Sequence, residues 1–139
     1  MANELIVILI LLIGYIGLWL LGIVFFLIYF KLFRISMDYK HPLAIVKRLP
    51  SALAIATVPI CSFVSFFITT KVVLAELHLS LSAIQLLPVG ITSLLFTIIL
   101  DLLITVLGEK IDIRSFPLNL MYLLAWFVIV PAIILAILV

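Results

Sequence analysis

Charged side chains break an otherwise apolar chain at three places and leave four long apolar runs, Leu5 to Phe30, Leu49 to Thr70, Leu81 to Leu107 and Ser115 to Val139. Asp101 is the only charged residue inside any of them. A helix needs about 20 mostly apolar residues to cross roughly 30 Å of hydrocarbon, so each run is long enough to span once. Membrane strands use segments of about 9–11 residues with alternating polarity, whereas both faces of these runs stay apolar for several turns. The pattern predicts an all-α, polytopic integral membrane protein. It is a single four-transmembrane-helix bundle with short loops and helices near 5–30, 51–70, 81–107 and 117–138.

Composition agrees with that solvent. The chain has 139 residues, 68% hydrophobic and 10% charged, where soluble domains are about half apolar and a quarter charged. The first run does not read as a cleaved signal. Met1-Ala2-Asn3-Glu4 offers no positive side chain, the run exceeds a typical signal core, and Gly14, Gly17 and Gly22 form no Ala-x-Ala pattern.

Lysine and arginine concentrate in cytoplasmic loops close to the membrane. Here seven of eight share one side: Lys31, Arg34, Lys40, Lys47 and Arg48 in the loop 31–50, Lys110 and Arg114 in the loop 108–116. Lys71 falls between the second and third helices. The bias predicts cytoplasmic loops at 31–50 and 108–116 and both termini outside. The longer loop also carries Leu32, Phe33, Ile35, Leu43, Ile45 and Val46, and His41-Pro42 suits the opening of a short interfacial helix. Such a segment either recruits anionic lipid or an acidic partner, or only sets topology.

Prolines stand inside three runs, at Pro59, Pro88 and Pro131. Each is a kink, static or hinged. Between them run two polar rows at four-residue spacing, Thr57, Cys61, Ser65 and Thr69 in the second helix and Ser93, Thr97, Asp101 and Thr105 in the third. Residues four apart share a helix face, and small or hydroxyl side chains let membrane helices approach and bond. Aligning the ends near Ser51 and Leu107 puts Thr57 level with Asp101, Cys61 with Thr97 and Ser65 with Ser93. That register predicts a packing seam between helices two and three; the other reading is that these hydroxyls bond their own preceding carbonyls.

Six residues, Leu102 to Leu107, separate Asp101 from the loop, roughly 9 Å at 1.5 Å per residue. A carboxyl at that depth needs a proton, hydrogen-bond donors or water. Two readings are open. One is a proton- or cation-binding site with Thr97 and Thr105 on the same helix, Thr57 across the seam, and Asn119 or Tyr122 at the start of helix four. The other is a polar clamp between helices, or a carboxylate snorkelling at a thinned bilayer edge. Gln85 is expected at the interface or an outer vestibule, Trp19 and Trp126 as packing or lipid contacts, and Gly14, Gly17 and Gly22 as a flat face for docking another helix or protomer.

Catalysis requires a nucleophile, base or metal ligands within mutual reach. His41 and His78 fall in loops on opposite sides, Cys61 is the only cysteine, and no run holds paired carboxylates. No catalytic residue, cofactor or metal site is predicted, and an enzyme is not expected. The leading expectation is a non-catalytic interaction protein, a homo-oligomer or accessory subunit of a larger membrane complex. Its partners would be membrane lipids and other membrane subunits, with no nucleic acid. The alternative is a small proton- or cation-coupled transporter or channel using Asp101.

Overall fold

The computed structural model describes residues 2–36 and 46–139. Lys40 and the expected interfacial helix at His41-Pro42 lie outside the described residues. The described residues are helical with no strand. Helix α1 spans Ala2–Leu32, and a short 3-10 turn at Val46–Arg48 leads into α2, Ser51–Glu76. Helix α3 spans Ala83–Asp101 and continues as a wider π-helical stretch through Leu102–Gly108. Helices α4, Leu118–Phe127, and α5, Ile129–Leu138, together form the fourth span.

The ends of these helices follow from local chemistry. Glu4 in the first turn of α1 and Lys31 in its last complement the helix dipole. Beyond α1, Arg34 turns left-handed at φ 54° and the Ile35 N–H closes on the Phe30 carbonyl at 2.9 Å. His78 does the same after α2, at φ 51°, with Leu79 N–H on the Leu74 carbonyl at 3.0 Å. Both closures satisfy carbonyls that a helix end would otherwise leave open. Ser82 caps α3: its hydroxyl accepts from the Gln85 N–H at 3.4 Å, and Gln85 Oε1 accepts from the Ser82 N–H at 2.9 Å. Gln85 is therefore half of a capping box, and no vestibule role is needed to explain it.

Helix α2 runs past the expected boundary at 70 and takes Lys71 out of the loop. The ammonium lies 5.5 Å from the centre of the Phe67 ring one turn earlier on the helix, a cation–π contact that accommodates the charge. Of the three internal prolines only Pro131 interrupts its span. Its ring opposes the carbonyl four residues back, at Phe127, and α4 gives way to α5 at Val128. Helices α2 and α3 continue through Pro59 and Pro88.

Around the bundle the order is α1, α2, the α4–α5 pair, then α3, which also meets α1. Near the chain ends, Ile6, Ile10, Phe66, Leu86, Val89, Ile129 and Ile133 form the main core. At the basic-loop end, Val46, Ala54, Ile111, Leu118 and Met121 form another. Large apolar side chains such as Leu12, Ile16, Leu20, Ile60, Ile68, Leu95, Ile99 and Leu123 face outward, whereas Thr57, Ser62, Ser65, Ser93, Thr97, Asp101 and Thr105 are buried. Lipid solvates the first group, and the second must find partners inside. Four helices, Glu4–Leu32, Ser51–Glu76, Ala83–Gly108 and Leu118–Leu138, are long and apolar enough to cross a membrane. The fold is thus a four-helix membrane bundle.

Candidate functional site

Asp101 closes the α-helical part of α3 and points into the bundle, 4% exposed. The Tyr15 hydroxyl of α1 donates to Oδ1 at 2.9 Å, and the Trp126 indole N–H of α4 donates to Oδ2 at 2.7 Å. Three helices therefore meet on one carboxyl group through two neutral donors. Neighbouring rings brace those donors. Trp19 meets Tyr15 edge-on with ring centres 6.4 Å apart, and Tyr122 lies 5.9 Å from Trp126. Both pairs are four residues apart on one helix, where side chains sit one above the other.

One turn further along, the hydroxyls of Thr105 and Tyr122 are 3.0 Å apart and buried. Thr105 reaches this position because α3 has widened. In an α-helix a four-residue step overshoots a full revolution, while in the wider π form it falls short. The drift accumulated from Ser93 to Asp101 is thereby reversed, and Thr105 returns to the interior. The Glu109 N–H on the Ile104 carbonyl at 2.9 Å closes this stretch. Extra-wide turns of this kind recur at functional sites in helices.

The other expected site residues are placed elsewhere. Thr57 donates to its own Leu53 carbonyl at 2.7 Å and lies 3.1 Å from the Tyr29 hydroxyl, in a separate pair. Asn119 is exposed and its Oδ1 accepts from the Leu120 N–H at 2.8 Å. Neither reaches Asp101 through a hydrogen bond. Tyr15 and Trp126 do, and sequence reasoning left both out. A signal existed for Trp126: an indole N–H near the middle of a span needs an acceptor, and Asp101 offers one.

The expected seam between α2 and α3 does not form, because these helices face one another across the bundle and do not pack as neighbours. Ser65 instead donates to the Gly14 carbonyl of α1 at 2.7 Å, Ser62 donates to the Ala125 carbonyl of α4 at 3.0 Å, and Cys61 packs with Tyr15 and Leu18. Depth along the helices does not say which neighbour each residue faces. The glycines supply the reason. A Cβ on Gly14 would come within 2.8 Å of the Phe66 ring, and one on Gly17 would strike the Ser65 hydroxyl. These two glycines therefore dock α2 within the chain, leaving them unavailable for another protomer. Gly22 is buried, yet an added Cβ there would meet no atom within 4 Å.

Lys31, Arg34, Lys47 and Arg48 are exposed around the α1–α2 connection. No three of His, Cys, Asp and Glu converge among the described residues; the groups brought together at this site are a carboxyl, two phenols, a threonine hydroxyl and an indole. Compared with protein families, characterised proteins and solved structures, the chain matches none.

Proposed function

We propose that this chain is a small proton-coupled transporter or channel in which Asp101 takes up and releases the proton. One observation carries the reading: an acid buried in the spans lies where three helices meet, with a hydrogen-bond donor facing each of its oxygens. Ionisable groups inside spans are rare and mark relays or ion pathways. The donors favour a proton over a metal cation. A cation at Oδ2 would meet the positive end of the indole N–H, which has no lone pair to offer. A proton needs one oxygen only, and the Tyr15 hydroxyl can turn from donor to acceptor when the carboxyl carries hydrogen. The break between α4 and α5, two residues from Trp126, supplies a place for that donor to move. In this proposal the loops 31–50 and 108–116 face the cytoplasm and both termini lie outside, as the lysine and arginine bias directs.

A second reading rests on the same two bonds. By joining α1, α3 and α4 they make Asp101 a clamp within a non-catalytic interaction protein, a homo-oligomer or accessory subunit. Proton flux into proteoliposomes carrying an internal pH dye separates the two. Under the proposal the wild type dissipates an imposed pH difference and Asp101→Asn does not. Equal flux in both, or none in either, removes the carboxyl from transport and leaves the clamp.

A further inference from the structure

Four interior hydroxyls of the bundle are satisfied by carbonyls. Thr57 and Thr70 donate to carbonyls one turn back on their own helix, and Ser62 and Ser65 donate to carbonyls across it. The buried side-chain polar atoms without a hydrogen-bond partner among the described residues are Ser93 Oγ, Thr97 Oγ1 and Glu109 Oε2. All three belong to one row. Positions 93, 97, 101 and 105 step by four along α3 and its widened continuation, and Glu109 follows directly at its end, so the unpartnered atoms flank Asp101 on both sides. Ser93 and Thr97 are 0% and 1% exposed, which rules out bulk solvent as their partner.

We propose that water molecules bind along this side of α3, from Ser93 at mid-span to Glu109 at the basic-loop end, on both sides of Asp101. Buried polar groups without protein partners are where proteins hold internal water, provided that each water finds about 2–4 polar neighbours. The row supplies them: two hydroxyls and the Asp101 carboxyl on one side, and the Thr105 and Tyr122 hydroxyls and the Glu109 carboxyl on the other. The Thr105 and Tyr122 hydroxyls are 3.0 Å apart. The use of this path rests on the proton-coupled reading. A hydronium beside Thr97 gives its proton to the Asp101 carboxylate and remains as water. The proton then leaves through the hydroxyls and water at Thr105 and Tyr122 to the Glu109 carboxylate, each relay oxygen losing one hydrogen as it gains another.

The test follows the Trp126 indole N–H of the full chain in lipid nanodiscs, with isotope-labelled tryptophan and assignment through Trp126→Phe, after transfer to heavy water. Exchange in the wild type is expected to outpace that of the α4 backbone amides in the same turn. The double variant Thr97→Val/Glu109→Leu should slow it roughly tenfold, as loss of bridging water partners implies. The single variants should slow it less, and Thr97→Ser should match the wild type. An indole as protected as those amides overturns the path without any variant, and so does a double variant exchanging at the wild-type rate. Rapid, variant-sensitive exchange without proton flux would overturn the transport reading alone. Flux lost in Asp101→Asn with a protected indole would overturn the water path alone.

Discussion

Replacing Asp101 by asparagine and by leucine separates its hydrogen bonds from its proton. Asparagine has one acceptor and one donor group. The indole of Trp126 can only donate, so the amide oxygen turns toward it, 2.7 Å away in the native pair, and the amide nitrogen turns toward Tyr15, whose hydroxyl rotates to accept. Both bonds survive while the titrating group is gone. Leucine keeps neither bond, and leaves the Tyr15 hydroxyl buried and the Trp126 N–H half-buried without partners. An orphaned buried group costs about 1–3 kcal/mol, whereas bonds measured between membrane helices average about 0.6 kcal/mol and reach about 1.7. Leucine's own burial offsets part of the loss. The expected cost is therefore about 1–3 kcal/mol for Asp101→Leu and below about 1 kcal/mol for Asp101→Asn. Reversible unfolding in mixed micelles at increasing detergent denaturant reads both. A leucine variant as stable as the wild type, or an asparagine variant as damaged as leucine, would refute the two-donor geometry.

Three further expectations follow from the packing. Gly17→Ala pushes on the Ser65 hydroxyl and its bond to the Gly14 carbonyl, and should cost about 1–2 kcal/mol; Gly22→Ala, with open space at its Cβ, should stay within about 0.5 kcal/mol in the same unfolding assay. Cys61 is buried and free, so a membrane-permeant maleimide should label it only after denaturation, and labelling of the native bundle at the denatured rate would contradict its placement. Ser82→Ala removes the capping box of α3 and should cost about 1 kcal/mol, seen as faster amide exchange confined to the first turn of that helix.

Much of the fold is legible in the sequence because hydrocarbon imposes one strong rule. Every backbone polar group must be paired within its own segment, so an uncharged apolar run of sufficient length has to be a helix. That rule finds all four spans. It misses the end of α2 because a lone lysine reads as a loop residue, although Lys71 lies within the helix with its charge against the Phe67 ring. It also misses the break at Val128, where only Pro131 among the three prolines interrupts its helix.

The site divides along the same line. Asp101 is visible from sequence because an acid among so many apolar residues is conspicuous, and Thr105 and Tyr122 are visible from spacing and depth. Their actual partners are not. Tyr15 donates to Asp101 from 86 positions away in the chain, and no periodicity within a helix encodes the rotation of one helix about its axis relative to another. The two glycines that bring α1 onto α2, and the ring order that sets α2 across from α3, decide that rotation. Sequence alone determined which segments dissolve in lipid and which acid goes with them, since transfer free energy is a sum over residues. Only the tertiary structure decided which donors the acid meets, since hydrogen bonds depend on direction and distance between groups that the chain brings together from far apart.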